Sequence, residues 1–158
     1  MVIPDYISKM LKSTQTLGWL AGVKDNTDFH LCRTCGVLKI DQEHIRILIT
    51  PSLSPSLIRT IKEQPKISFT VVDAYTFESY QFKGIYIDSG ALGIEEEDLK
   101  QKFMTGIKEV LVGMGFDYGD RFKKYSGLEG VAVTMRVQEI YEQTPRKGTG
   151  FKLKIKGS

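Results

Sequence analysis

Alternation of apolar and polar residues with a period of two, repeated in separate segments, limits this chain more than any other feature. Leu17, Trp19, Ala21 and Val23 alternate with Gly18, Leu20 and Gly22. Ile45, Ile47 and Ile49 share one parity, as do Ile67, Phe69 and Val71, and again Val131, Val133, Met135 and Val137. Successive side chains of a strand point to opposite faces, so each segment has one face to bury. The pattern predicts strands over residues 16–23, 29–40, 45–50, 67–72, 79–87 and 128–141, with a short seventh at 151–156.

Three helices interrupt the strands. Residues 4–12 place Tyr6, Ile7, Met10 and Leu11 on one side, so that 1–14 is expected to form an N-terminal helical segment. Ser54-Pro55 reads as an N-cap followed by proline at the first helical position, with Leu57, Ile58 and Ile61 as the apolar face and Gln64-Pro65 as the end. Glu95-Glu96-Glu97-Asp98 puts acids where the helix dipole favours them. Leu99, Phe103, Ile107, Val110, Leu111 and Met114 then recur at helical spacing, and Gly115 can close the helix.

The first three strands are joined by short turns at 25–28 and 41–44, which makes them antiparallel neighbours. No alternation of strand and helix supports a doubly wound parallel sheet. The expected fold is mainly β with flanking helices, a split antiparallel β-barrel of about six strands, because closure removes the edges that such strands expose.

The chain has 158 residues, which suits a single domain spanning 1–158. It carries 22 basic and 19 acidic residues, a net charge of +3, with 41% hydrophobic residues, which excludes a disordered polyelectrolyte. No apolar run reaches the ~18–20 residues of a membrane span. Residues 1–12 lack the apolar core of a signal peptide, so a cytoplasmic location and no membrane partner are expected. Residues 146–158 hold five basic residues and no acid. Such a tail faces phosphate or a membrane surface, or it is an edge strand with lysines on its outer side. Aromatic and basic residues do not interleave as a stacking platform, so nucleic acid is not an expected partner.

Cys32-Arg33-Thr34-Cys35 matches the C-x-x-C spacing, but it lies in a strand, where residues three apart face opposite ways. No second pair completes a zinc site, and no metal is expected. His30 and His44 are the two histidines, and nothing in their spacing signals a catalytic triad. Gly113-Met114-Gly115 with Gly119 follows a helix, whereas a dinucleotide fingerprint follows a strand. Arg33 stands out, because a guanidinium in the middle of a long strand needs an anion, a salt bridge or the outer wall. Ser52, Ser54 and Ser56 cluster at a predicted helix start, where they cap the helix or donate to an anion. In Tyr80-Gln81-Phe82-Lys83-Gly84, Gln81 and Lys83 share a polar face and Tyr80 and Phe82 the other.

Taken in order, these pieces resemble the pyridoxamine 5′-phosphate oxidase-like family of FMN-binding split barrels. The resemblance runs from about Leu17 to Gly150. It rests on Cys32-Arg33-Thr34-Cys35-Gly36-Val37, on Leu48-Ile49-Thr50-Pro51 before the serines, and on Gln64-Pro65-Lys66-Ile67. Ser79-Tyr80-Gln81-Phe82-Lys83-Gly84 and Gln143-Thr144-Pro145 complete the set. It implies a homodimer with FMN at the interface, the phosphate gripped by Arg33 and the Ser52, Ser54 and Ser56 region. The flavin ring would meet Thr34, Cys35, Gly36, Thr50 and Pro51, and the partner subunit would bring groups such as Tyr80, Gln81 and Lys83. The sequence departs from the oxidases at the helix start. Their Arg-Lys pair is replaced by Ser56 and Leu57, with Arg59 a turn later and Lys39 far down the second strand. Pyridoxamine phosphate oxidation is therefore not expected. Two functions follow: an FMN-dependent oxidoreductase of unassigned substrate with no evident acid–base residue, or a non-catalytic protein that holds flavin, haem or another anionic ligand.

Overall fold

A computed structural model describes residues 1–25, 28–117, 124–147 and 149–154. Six strands form a closed antiparallel barrel in the order β1-β2-β3-β6-β5-β4. They are β1 Thr16–Lys24, β2 Asp28–Lys39, β3 His44–Ile49, β4 Lys66–Asp73, β5 Ser79–Ala91 and β6 Val131–Glu142. The helices are α1 Asp5–Leu11, α2 Leu57–Glu63 and α3 Ile94–Gly113, with a 3-10 turn at Pro51–Leu53 and a short helical turn at 124–126. The mainly β barrel read from the sequence is thus the architecture, and no described helix is long and apolar enough to cross a membrane.

The barrel is filled by one parity of each strand. Leu20, Cys32, Val37, Ile45, Ile47, Ile49, Ile67, Phe69, Val71, Phe82, Val133, Met135 and Val137 form a continuous buried core. Phe69 and Phe82 stack at its centre with ring centroids 5.6 Å apart. In β1 the inner face is the glycine face. A Cβ at Gly18 would sit 2.5 Å from Thr34 Oγ1, and one at Gly22 would sit 2.6 Å from Ile61 Cγ2. The larger residues Trp19, Ala21 and Val23 consequently point outward.

The helices plug the ends. Leu57 and Ile61 of α2 enter the core beside Gly22, at the β1–β2 hairpin end. Ile3, Ile7, Met10 and Leu11 close the other end, where Lys39 donates to the Ile3 carbonyl at 3.1 Å. The 20-residue α3 packs on the outside of β2, covering Cys35, Leu48 and Ala132 with Met104 and Leu99. Glu96 accepts from the Gly93 amide at 2.9 Å at its start. At its end Gly115 (φ 87°) bonds back to Val112, and Phe116 bonds to Leu111. That paired arrangement is the glycine stop expected of Gly115.

Several boundaries moved. The strand expected at 128–141 begins at Val131, because Leu128 turns back to meet α3. The strand expected at 79–87 runs to Ala91, since β6 pairs with it past Gly84 and across bulges at Lys83/Gly84 and Tyr86/Asp88. The seventh strand shrinks to one bridge, Lys152 with Tyr141, and residues 155–158 lie outside the description. Ser54 does not cap a helix. The chain makes a 3-10 turn first, and α2 starts at Leu57 with Ser56 before it and no side-chain cap bond. Pro51 and Pro55 account for this, since each disfavours helical geometry at the residue before it. In the 25–28 turn, Asp25 has a left-handed φ of 53°, and residues 26 and 27 fall outside the described residues.

Candidate functional site

The outer wall of the barrel carries the predicted residues, and pairing places them in rows. Arg33 on β2 lies opposite Trp19 on β1, which lies opposite Thr70 on β4, then Gln81 on β5 and Tyr141 on β6. The next row is Leu31, Ala21, Ser68, Lys83 and Glu139. These rows face away from the core. Phe29 is 67% exposed and Leu31 47%.

Arg33 is half-buried on this wall, and none of the described carboxylates pairs with it. Its guanidinium carbon lies 5.9 Å from the centre of the Tyr125 ring. An arginine held by an aromatic face keeps its N–H fork available for an anion. The outer-wall alternative for Arg33 is thus realised without the salt bridge.

The Cys32–Cys35 stretch divides as its spacing requires. Cys32 faces into the barrel and Cys35 lies on the outside under α3, both buried and unpaired. A bulge between Thr34 and Gly36 makes the change of face: Thr34 points in, and Cys35 and Gly36 lie outside. Gly36 has φ 151°, and a Cβ there would lie 3.1 Å from Leu48. Burial pushes the Cys35 thiol up to about 11, with the Thr50 hydroxyl and the Lys100 charge acting the other way. Neither thiol is poised for redox work.

Thr50 leads from β3 into the serine turn and lies against β2. Its carbonyl is 3.4 Å from Cys32 Sγ, and its hydroxyl is 4.0 Å from Cys35 Sγ. Pro51 opens the 3-10 turn that follows, which packs against β2. Ser52 is exposed and Ser54 and Ser56 are half-buried, and among the described residues none of the three hydroxyls has a partner. Thr50 thus meets Cys35, and the turn of Pro51 and Ser52 packs against β2, the strand of Arg33 and Gly36, with Thr34 turned into the core beneath.

The β5 residues do not gather there. Gln81 and Lys83 are on the same wall as Arg33, but three strands away, about 14 Å at normal strand spacing. Lys83 Nζ sits 4.6 Å above the Tyr141 ring. Tyr80 is 5% exposed on the inner face, and its hydroxyl donates to Glu78 at 2.7 Å. Its side chain cannot share a surface with Gln81 and Lys83, because adjacent strand residues face opposite ways.

Sequence reasoning missed Tyr125. It stands twelve residues beyond the end of α3 and carries no periodic signal of its own. Burial raises its phenol, and the nearby Arg33 charge opposes that shift. It also missed Lys100, which is 3% exposed and bonds to Glu97 at 2.9 Å and to the Leu128 carbonyl at 2.7 Å. Helical spacing predicts the apolar face of α3, and Lys100 falls one residue after Leu99 on that buried side.

Two surface concavities exist elsewhere, one of about 440 Å³ beside Thr14 and Gly106, the other of about 620 Å³ beside Val23 and Pro65. Neither is lined by a predicted site residue. Among the described residues, no three His, Cys, Asp or Glu side chains cluster as a metal site would require.

No protein-family model and no curated protein matches the sequence. Solved structures do. HupZ of Group A Streptococcus is 14% identical with a TM-score of 0.55, covering 94% of this chain and 98% of that one. A Clostridium acetobutylicum protein related to general stress protein 26, of the pyridoxinephosphate oxidase family, is 12% identical with a TM-score of 0.51, over 95% and 93%. An FMN-binding protein from Syntrophomonas wolfei is 11% identical with a TM-score of 0.50, over 90% and 92%. At such identities the likeness establishes the fold: this chain has the fold of the oxidase-like split barrels, as its motifs implied.

Proposed function

We propose that the protein binds FMN on the outer wall around Arg33, as a homodimer, and uses it for oxidoreductase chemistry on a small molecule. The observation that carries this reading is Arg33 itself: a half-buried guanidinium, unpaired with any described carboxylate, on the strand against which the turn opening the serine stretch packs, whose three hydroxyls have no partner among the described residues. That donor set suits a phosphate monoester. Thr50, Pro51, Cys35 and Gly36 adjoin it and would form the floor beneath a flat ring.

The bare wall supports the dimer. A single ligand meets Arg33 and the Gln81–Lys83 pair only when a second copy brings its own Gln81 and Lys83 across. Phe29, Leu31 and Val23 offer apolar area for that contact. Bound flavin supplies the electron transfer. The chain's own residues orient it, hold its phosphate and exclude water. FMN titration of wild type and Arg33→Ala tests the reading. Losing one charge-assisted contact, about 1.5–3 kcal/mol, should weaken binding roughly 10- to 150-fold. Equal affinity would remove Arg33 from the site.

A non-catalytic ligand-holding role is the second reading. It is favoured by the sparse charge at the expected phosphate end, where Ser56 and Leu57 stand in place of an Arg-Lys pair. NADH or NADPH oxidation above the rate of free FMN decides for the enzyme, and tight FMN binding without it decides for the carrier.

A further inference from the structure

The Tyr125 side chain lies over the region around Arg33. The Tyr125 ring packs on the outer cluster of Cys35, Leu48, Met104 and Ala132. Beneath it Cys35 and Thr50 are 0% exposed. These are the residues that a flat ligand would have to touch. The same ring faces the Arg33 guanidinium. It thus occupies both the floor and the cation.

This arrangement has a flaw that ordinary core packing avoids. The phenol oxygen is shut off from solvent, and among the described residues no group completes a hydrogen bond with it. The Thr50 hydroxyl is near enough to favour the phenolate, but it does not reach the geometry of a hydrogen bond. An unpaired buried hydroxyl counts against the closed position, and a phenylalanine would fill the space without that cost. The segment that carries Tyr125 is tied to α3 through side chains. Lys100 donates to the Leu128 carbonyl at 2.7 Å, and Gln101 donates to the Ser126 carbonyl at 3.3 Å. Tyr125 sits in the short helical turn at 124–126, so the ring can leave by rotating out or with that turn, without breaking a strand or α3.

We propose that Tyr125 is a plug that sets what enters the site. A planar aromatic ligand with an anionic group displaces the ring, laying its own ring over Cys35 and Thr50 and its anion on Arg33. This rests on the ligand reading above and adds a competing side chain to it. Apparent affinity is then reduced by the fraction of molecules with the plug in place.

Cysteine labelling reads the plug without any ligand. Trypsin cuts after Arg33, so Cys32 and Cys35 fall on separate peptides, and mass spectrometry follows each. Cys32, inside the barrel, reports on the fold. In Tyr125→Ala, Cys35 should react at least tenfold faster with a small methanethiosulfonate while Cys32 stays protected. FMN, used as the probe, should bind at least tenfold tighter. Tyr125→Phe keeps the ring and removes the unpaired hydroxyl, so Cys35 should label more slowly than in wild type and FMN should bind more weakly. Unchanged Cys35 labelling in Tyr125→Ala overturns the plug. Weaker FMN binding with Cys35 uncovered also overturns it, since Tyr125 is then a ligand contact. Cys35 uncovered with FMN bound by neither protein upholds the plug and refutes the flavin reading alone. If Cys32 and Cys35 open together in Tyr125→Ala, the phenylalanine variant decides: slower Cys35 labelling supports the plug, and equal or faster labelling overturns it.

Discussion

Replacing Lys100 by methionine removes one charge from the cluster under α3 and keeps the length of the side chain. The ammonium is 3% exposed and makes two bonds, to Glu97 and to the Leu128 carbonyl. Three effects compete. Losing a charged donor to a carbonyl costs about 1.5–3 kcal/mol. Losing the pair with Glu97 adds little, because that carboxylate is 45% exposed and solvent screens it. Sparing the ammonium its desolvation acts the other way, and replacements of buried ion pairs have been neutral or stabilising where both partners were removed. Here only one partner goes. The Leu128 carbonyl keeps its position, loses its donor, and releases the turn that carries Tyr125. The loss therefore prevails, at about 1.5–3 kcal/mol. For a chain of this size that is a fall in Tm of roughly 3–12 °C. Thermal unfolding followed by circular dichroism at pH 7 measures it. An unchanged or higher Tm would show that desolvation governs this site and that Lys100 holds nothing in place.

Other expectations follow from the same structure. Alanine at Gly84 would put its Cβ 2.1 Å from the Arg136 carbonyl oxygen, so Gly84→Ala should destabilise by at least about 2 kcal/mol, read in a urea titration; a near-neutral result would mean that the bulge relaxes freely. Phe82→Ala empties the stacked pair at the barrel centre and should cost about 3–5 kcal/mol, with a loss under 2 kcal/mol indicating collapse of the cavity. Stability should be flat near neutrality and fall at both extremes. The amides of Tyr75 and Thr76 outweigh burial at Asp73 and hold it below the usual carboxylate range, and the Lys100 bond does the same for Glu97. Their contribution is present above the unfolded value and lost as pH falls through the lower folded value. Cys35, Tyr80 and Tyr125 are raised, chiefly by burial, so their contribution is lost as pH rises from the unfolded thiol range toward theirs. Chemical denaturation across pH checks both limbs, and a rise in stability above pH 9 would contradict the alkaline one.

The barrel was legible because period-two alternation is strong in β3, β4 and β6, where branched and aromatic residues fill the inside. It was less legible in β1. There the inner face is made of Gly18 and Gly22, whose role appears only once Phe69 and Ile61 lean into the space they leave. Arg33 and the serines could be read as ligand donors from residue type alone. Their meeting with Thr50 depends on the β2 bulge and the proline-bounded 3-10 turn, and neither leaves a periodic trace. Gln81 and Lys83 were correctly given one face, yet the width of three strands between them and Arg33 is a property of strand order. Tyr80 shows the limit most plainly. Its parity with Phe82 already placed it on the opposite face from Gln81, and the inner position follows from that parity. Tyr125 and Lys100 are tertiary features: an aromatic in a short turn and a lysine on a mostly apolar helix face take their meaning from what lies across the gap.

The account stands or falls on whether this wall holds a flavin. The purified protein should be incubated with FMN, passed through a desalting column, and its visible absorbance recorded beside that of Arg33→Ala. Flavin absorbance that stays with the wild type and is lost from the variant is the result predicted. A wild type that emerges colourless, or a variant that keeps its flavin equally well, would contradict the site at Arg33.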